Sequence, residues 1–324
     1  MSQQKTLKVV QAYDGQEIET IELQDWQQAD QMLRRASELY NNRELWLAAY
    51  KRAKVLNQLA ALMHQAQDEL ALLIAREGGK PLTDARVEVK RAINGVELAK
   101  AHIAQMVGEQ IPMDLSAAGV GRLAMTTKEP IGVVLALSAF NHPLNLIVHQ
   151  VVPAIATGCP VIVKPAANTP LSCLRFVEMV KQTDLPAHWV QACVCDRDTT
   201  NRLVADPRIA FLSFIGSAKV GWQLRRQIAD GTRCALEHGG VAPVIVAADA
   251  DLEKTVPALV KAAYYHAGQV CVSVQRIFVA NVLKEAFLEK FIALVASLKV
   301  GDPRLLETDV GPLIKPAEVT RVQQ

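Results

Sequence analysis

Two residues of this chain have the types and surroundings that covalent chemistry needs. Cys271 ends the run GQVC (268–271) after a helical stretch, and a cysteine is a nucleophile in its thiolate form. Glu237 ends the apolar run CALE and precedes a Gly-Gly pair after one further residue, so its carboxylate can reach a cleft as a general base. Together they predict a thiol nucleophile served by a carboxylate, although an isolated buried cysteine is more often inert.

Asn141 is a candidate donor to a reacting oxygen. It lies in the turn AFNHP, directly after an apolar run. An amide at the carboxyl end of a strand can donate a hydrogen bond to a developing oxyanion. A turn former before Pro143 is an equally good interpretation. We interpret His142 as a turn residue, and His149 and His266 as structural histidines in helical apolar contexts.

Two further segments have features of a phosphate or ribose site. FIGSAKVG (214–221) follows a strand and opens a helix; Gly216 allows close backbone approach, and Ser217 can cap the helix and donate to a phosphate. Lys164 ends the apolar run VIVK, where a lysine would face the ligand crevice of a parallel sheet. A plain helix cap and a solvated strand end are the alternatives, and the G-x-G-x-x-G fingerprint is absent.

Composition excludes several classes of protein. The chain has 324 residues, of which 50% are hydrophobic and 21% charged, which predicts a folded protein of two or more domains. A net charge of +2 gives no electrostatic basis for binding nucleic acid or an anionic membrane. The six cysteines have neither disulfide-framework nor zinc-site spacing, so we predict no metal and expect reduced thiols in a cytoplasmic protein.

The first part of the chain is predicted to be mainly helical. Residues 1–24 form a short β segment with an Asp-Gly turn. Apolar residues at three-to-four spacing over 43–76 predict one helix, which a Gly-Gly pair stops. Thr83 or Asp84 is predicted to cap the next helix. The Gly-containing segment 109–128 comes next, and the alternation of its residues predicts a protruding hairpin.

After Pro130 short apolar runs alternate with helical stretches, which predicts an α/β fold with a doubly wound, Rossmann-like parallel sheet. A second, smaller α/β unit that looks incomplete follows from about residue 240. The predicted strands of the two units are 131–139, 160–164, 189–194, 209–214, 234–238, 243–247 and 276–280.

Eight runs along the chain resemble one known family. In order and spacing they are similar to the NAD(P)-dependent aldehyde dehydrogenase superfamily, from about residue 30 to the C-terminus. The run GQVCVSVQRIFV resembles the branch that contains lactaldehyde and glyceraldehyde-3-phosphate dehydrogenases. The eight runs are EPIGVV (129–134), FNHP (140–143), VIVKPAANTPLS (161–172), FIGSAKVG (214–221), LEHGG (236–240), HAGQVC (266–271), KVGDP (299–303) and TDVGPLI (308–314).

The resemblance implies a role for each candidate residue. Cys271 falls on the nucleophile, Glu237 on the general base and Asn141 on the oxyanion amide. The implied reaction oxidises an aldehyde to a carboxylic acid with NAD or NADP through a Cys271 thioester, and Glu237 argues against a CoA-acylating relative. The cofactor-binding positions of the family fall on Lys164, Gly216, Ser217 and Gly221, with Phe140 at the usual tryptophan beside the cofactor.

The resemblance also implies the domain organisation. Residues 1–108 and 130–236 would form the dinucleotide-binding domain, and 109–129 an oligomerisation hairpin. Residues 237–324 would form the N-terminal part of a catalytic domain. Full-length relatives of this family are expected to be homo-oligomers.

Two positions depart from the family pattern. Ala167 stands where the family has a glutamate that binds the adenosine ribose diol, which predicts a relaxed choice between NAD and NADP. His238 stands where the family usually has a leucine. Val270 and Val272 flank the nucleophile without a basic group, and this favours a small aliphatic or hydroxy-aldehyde substrate.

Length leaves two alternative functions open. Family members are longer, and their Glu-x-Phe-Gly-Pro motif, whose glutamate holds the nicotinamide ribose, is not found after Ile314. We therefore expect a C-terminally truncated member with weak or no oxidoreductase activity as it stands. One alternative is a non-catalytic subunit or pseudoenzyme that retains the fold. The other is a cofactor-independent thiol esterase that uses Cys271 and Glu237.

Overall fold

The computed structural model describes residues 5–324, and its first elements form an antiparallel β hairpin. Strands β1 (Thr6–Val10) and β2 (Glu17–Glu22) pair along their length, and Gly15 in the turn between them has a φ of +72°. The predicted β segment with an Asp-Gly turn is confirmed, except for residues 1–4, which lie outside the described part.

Four helices follow, and they correct the prediction of one helix over 43–76. Ala66 ends one helix and precedes the next, while residues 43–45 form only a 3-10 turn. The apolar spacing continues across the break because both helices bury the same face against the fourth helix, so it indicates a shared face rather than one unbroken helix. The helices are α1 (Trp26–Asn41), α2 (Ala49–Gln65), α3 (Gln67–Gly78) and α4 (Leu82–His102).

The corner between α3 and α4 confirms one predicted signal and corrects another. Gly79 caps α3 in the left-handed conformation, with φ +71°, so the Gly-Gly stop is confirmed. Neither Thr83 nor Asp84 caps α4, which begins at Leu82 without a side-chain cap. The Leu82 N–H donates instead to the carbonyl of Pro303 (2.7 Å), a long-range partner that local sequence does not reveal.

The predicted hairpin is present but short. Strands β3 (Gln110–Ile111) and β4 (Ala124–Met125) pair antiparallel over two residues each. The segment between them is mostly exposed, including the side chains of Leu115 and Leu123.

A five-stranded parallel sheet forms the centre of the molecule, as predicted. Its strand order is β7-β6-β5-β8-β9, with apolar clusters on both faces. Because the strands are parallel, their carboxyl ends meet at one edge. The strands are β5 (Val133–Leu137), β6 (Val161–Lys164), β7 (Val190–Ala192), β8 (Ile209–Gly216) and β9 (Arg233–His238). The connecting helices are α5 (Asn145–Thr157), α6 (Leu171–Lys181), α7 (Arg197–Val204) and α8 (Ala218–Arg225).

A smaller α/β unit follows, with its own apolar cluster around Val246, Leu259 and Phe287. Both of its predicted strands are present, and they pair in parallel. Its elements are β10 (Val244–Val246), α9 (Leu252–Tyr264), β11 (Ile277–Val279) and α10 (Lys284–Ala296), and α11 (Pro316–Gln323) comes after them. The proposed domain boundaries stay a prediction.

Residues 299–314 return from the smaller unit to the corner between α3 and α4. The Arg304 guanidinium donates to Gln11 (2.9 Å), and a Cβ added at Gly79 would lie 2.9 Å from Pro312. This return segment therefore joins the smaller unit to the helices of the first. Across residues 5–324, none of the helices combines the length and apolar character needed to cross a membrane.

Candidate active site

The carboxyl edge of the parallel sheet opens onto a cavity of about 1520 Å³. Asn141, Glu237 and Cys271 all line it. They come from three different elements, namely the loop after β5, the end of β9 and the loop after α9. The fold thus brings the three candidate catalytic residues to one space, although they are far apart in sequence.

Asn141 lies in residues 138–144, between β5 and α5, which we call the oxyanion loop. Its Nδ2 donates to the backbone carbonyl of Gln269 (2.9 Å). Its Oδ1 is buried and has no hydrogen-bond partner among the described residues. An amide nitrogen carries two hydrogens, so one N–H of Asn141 is left for another acceptor.

Cys271 is exposed to the cavity and lies at the end of residues 265–271, which we call the nucleophile loop. Its carbonyl accepts a hydrogen bond from the N–H of Gly240 (3.2 Å). Glu237, also exposed, lies three residues before Gly240 and is paired with Ile215 of β8. The backbone bond therefore ties the segment after the candidate base to the candidate nucleophile.

Gln269 is a site residue to which sequence analysis assigned no role. Its Nε2 donates to the carbonyls of His266 (3.1 Å) and Pro312 (3.3 Å), and its Oε1 accepts from the N–H of Ile314 (2.9 Å). Its side chain thus fixes the nucleophile loop to the return segment, while its carbonyl fixes Asn141. Only the polar side chain beside Cys271 could have signalled this role.

The candidate cofactor residues divide into two groups. Phe140, Gly216 and Ser217 line the cavity. Ser217 caps α8 by accepting from the N–H of Val220 (3.4 Å), so the helix N-terminus opens onto the cavity, a position that favours an anion.

Lys164, Ala167 and Gly221 are not among the residues that line the cavity, whereas Ala166 is. Lys164 is partly exposed, and its ammonium donates to the carbonyl of Pro165 (3.1 Å). It therefore retains capacity to donate, since an ammonium has three hydrogens. Ala167 is exposed.

His238 has a packing role that the sequence did not reveal. Its ring lies edge-on to Trp222 (5.2 Å between centres) and Phe214 (6.3 Å). A Cβ at Gly221 would lie 2.1 Å from His238 Nε2. Gly221 is therefore required by the imidazole of His238, and not only by approach to a ligand.

A buried ionic cluster lies behind the oxyanion loop, in a part of the sequence that suggested no chemistry. The carboxylate of Glu88 contacts the ammonium of Lys80, and both side chains are fully buried. His142 Nδ1 lies 2.9 Å from Lys80 Nζ and 3.4 Å from Glu88 Oε2. Burial opposes ionisation of Glu88, but the charge of Lys80 and the hydrogen bond with His142 outweigh it and hold the pKa of Glu88 at about 2.

A second buried carboxylate, Glu77 on α3, acts at a different helix. It accepts from the N–H groups of Leu171 (2.8 Å) and Ser172 (2.8 Å), at the start of α6. Burial raises the pKa of Glu77 to about 7, against the lowering effect of these hydrogen bonds. Neither of these partners belongs to the oxyanion loop or the nucleophile loop.

His266 is fully buried in the nucleophile loop, and neither ring nitrogen has a partner among the described residues. Burial, together with the charge of Lys80, lowers its pKa well below the usual range, so the ring is neutral. Its backbone has a φ of +50°, and Ala267 follows with +54°. Such left-handed residues are strained and must be held by their surroundings.

Comparison with known proteins identifies the family of the chain. The model of the aldehyde dehydrogenase family matches residues 1–324. The chain belongs to the aldehyde dehydrogenase family. A lactaldehyde dehydrogenase of Methanocaldococcus jannaschii is 38% identical over 269 residues, which are 82% of this chain and 57% of that protein. A putative aldehyde-dehydrogenase-like protein of Sinorhizobium fredii is 34% identical over 314 residues, 96% of this chain and 60% of its own length.

The fold of the family is equally clear among solved structures. The glyceraldehyde-3-phosphate dehydrogenase GapN of Methanocaldococcus jannaschii, solved with NADP, superposes with a TM-score of 0.92 at 33% identity. The match covers 100% of this chain and 70% of that one. The chain thus spans about 60% of the length of the curated relatives that it matches.

Proposed function

We propose that this protein oxidises an aldehyde to a carboxylic acid with NAD or NADP, through a thioester on Cys271. The observation that carries the proposal is that Asn141, Glu237 and Cys271 line one cavity at the carboxyl edge of the sheet. Ligands of open parallel sheets bind at this edge. The resemblance of this chain to the family implies the same chemistry. Relatives with named aldehyde substrates are similar to this chain over most of its length.

The described residues fit a dinucleotide. Ser217 and the N-terminus of α8 open onto the cavity and would hold a phosphate, as in other helix-terminal anion sites. The Lys164 ammonium, with donors to spare, would bond a ribose hydroxyl or a phosphate. A bound nicotinamide would supply the acceptor for the hydride of the aldehyde carbon. The relative GapN was solved with NADP.

The chain's own residues account for the acyl-transfer steps. The Cys271 thiolate forms a C–S bond to the aldehyde carbon, while the free N–H of Asn141 and the backbone N–H of Cys271 stabilise the oxyanion. After oxidation the acyl group is held on Cys271 as a thioester. Glu237 then takes a proton from water, whose oxygen attacks the carbonyl carbon; the C–S bond breaks and the thiolate is restored with release of the acid.

The substrate proposed is a small aliphatic or hydroxy-aldehyde. Val270 and Val272, beside the nucleophile, carry no charge that would select an anion. The similarity to a lactaldehyde dehydrogenase supports the same class.

Assembly, location and domain division are also proposals. The hairpin 109–129 exposes Leu115 (87%), Val120 (68%) and Leu123 (71%), and such apolar exposure supports a role in homo-oligomer contacts. A cytoplasmic location is consistent with six cysteines that are all free in the structure.

The deciding experiment follows the formation of reduced nicotinamide by its absorbance, with lactaldehyde and short aliphatic aldehydes as substrates. The expected result is weak but measurable production by the unaltered protein and none by Cys271→Ala. Cys234→Ala is the matched control, because Cys234 on β9 is partly buried and does not line the cavity. Ester cleavage without cofactor, and without reduced nicotinamide, would support the thiol esterase instead.

A further inference from the structure

We propose that the buried Lys80–Glu88 pair is a positioning device that holds the oxyanion loop and the nucleophile loop together. Its effect on turnover rests on the proposed function, but its structural part does not. The pair lies outside the candidate catalytic residues, and both of its members are fully buried.

The two loops meet through three consecutive residues. The Phe140 ring packs against His266 (6.5 Å between centres), the Asn141 amide bonds the carbonyl of Gln269, and the His142 ring stacks on Tyr265 (6.0 Å). Each of these three residues thus has its own partner in the nucleophile loop. A shift of either loop would change all three contacts together.

Glu88 fixes one side of this junction. Its Oε1 accepts from the N–H groups of Leu144 and Asn145, both at 3.0 Å, where the oxyanion loop passes into α5. Its Oε2 contacts Lys80 and His142. One carboxylate of α4 therefore bonds the oxyanion loop at its end and at the residue next to Asn141.

Lys80 reaches the other side. Its ammonium lies 2.9 Å from His142 Nδ1 and 5.8 Å from the centre of the Tyr265 ring, within range of a cation–π interaction. Tyr265 begins the nucleophile loop, and the next residue, His266, has the strained backbone. Lys80 therefore contacts one residue of each loop, His142 and Tyr265.

A purely structural ion pair would stabilise the fold without connecting these loops in particular. The distinguishing measurement is hydrogen–deuterium exchange of the full chain, resolved to residues 141–146 and 265–271. Glu88→Gln keeps the shape and an acceptor for the two N–H groups but removes the charge. Glu77→Gln is the control, since Glu77 is equally buried and serves α6 instead.

We expect Glu88→Gln to raise exchange at least about tenfold in both loops, as local opening becomes easier. Glu77→Gln should leave both loops unchanged. Faster exchange in residues 141–146 alone, with the nucleophile loop unaffected, would overturn the proposal. If Glu88→Gln does not fold, the neutral double variant Lys80→Met/Glu88→Gln takes its place with the same expectation.

Steady-state kinetics provide a second test of the positioning role. Glu88→Gln should lower kcat about tenfold with little change in KM. In a protein that already carries Asn141→Ala, Glu88→Gln should lower kcat by less than about a further twofold, because the pair acts through Asn141. Independent, multiplying losses would contradict the positioning role. If the unaltered protein oxidises no aldehyde, the proposed function fails, while the exchange measurement still decides the proposal about the loops.

Discussion

The side-chain amide of Asn141 donates to the backbone carbonyl of Gln269 over 2.9 Å, two residues before Cys271. The candidate oxyanion donor is thus bonded to the chain segment that carries the candidate nucleophile. The amide keeps its second hydrogen for a substrate oxygen, and its direction is fixed by a bond that exists before any substrate arrives.

Asn141→Ala should therefore reduce turnover more than substrate binding. Removing one oxyanion donor typically costs about 10²–10³ in kcat, and we expect this range with a nearly unchanged KM. Steady-state kinetics with a saturating cofactor measure both constants. A variant that only raises KM would show that Asn141 binds substrate and does not stabilise the oxyanion.

Glu237→Gln should separate formation of the thioester from its hydrolysis. The amide cannot take a proton from water, so we expect one rapid burst of reduced nicotinamide followed by turnover slowed about 10²–10⁴-fold. Mass spectrometry of the quenched protein should find the acyl group on Cys271. A burst-free loss of activity, with no acyl adduct, would indicate that Glu237 acts before the thioester forms.

Ala167 should allow both dinucleotides to be used. The exposed methyl group offers neither an acceptor to a ribose diol nor a repulsive charge to a 2′-phosphate. We expect the KM values for NAD and NADP to lie within about a hundredfold of each other, and Ala167→Glu to move the preference toward NAD. Binding titrations with each nucleotide give the same comparison without turnover. A larger NAD preference in the unaltered protein would disprove the prediction.

Gly221→Ala should destabilise the fold through His238. The new Cβ would lie 2.1 Å from Nε2, so the ring must move from its place beside Trp222. Overpacking of this kind costs about 1–3 kcal/mol in the free energy of unfolding, which urea denaturation can measure. Gly221→Ala/His238→Ala should recover most of the loss. Equal destabilisation in the single and double variants would point to the backbone of α8 instead.

Low pH should reduce the free energy of unfolding because Glu88 becomes protonated. Its pKa is about 2 in the folded protein against an ordinary 4.5, so the folded state binds fewer protons between these values. The stabilisation is complete above the ordinary pKa and is lost as the pH falls from about 4.5 toward 2. Urea unfolding at several pH values should show this loss in the unaltered protein and a flatter profile for Glu88→Gln. Parallel profiles for the two proteins would contradict it.

The parts of the fold that follow from local sequence were predictable. Buried strands such as Val133–Leu137 are continuous apolar runs, and Gly79 ends α3 because a left-handed residue is needed there. The meeting of Asn141 and Glu237 at the sheet edge was predictable for a related reason, since parallel strands bring their carboxyl ends together.

The errors and omissions come from partners that are distant in sequence. The N-terminus of α4 is bonded to Pro303 instead of a local cap, and the break at Ala66 is hidden by an apolar face that continues through it. Lys80, in the corner before α4, and Glu88, on α4, are of residue types that are usually exposed, and only the packed helices around them show that they are buried. The relation of Gly221 to His238 likewise depends on the neighbouring strand.

The return segment has a consequence for motion. Gln269 holds Pro312 and Ile314 with its side chain while its carbonyl holds Asn141. Any hinge opening between the smaller unit and the first must break these bonds or carry the return segment with it. Gln269 therefore anchors the segment that carries Cys271 to two others, and a displacement of Cys271 away from the sheet edge would cost the bond to Asn141.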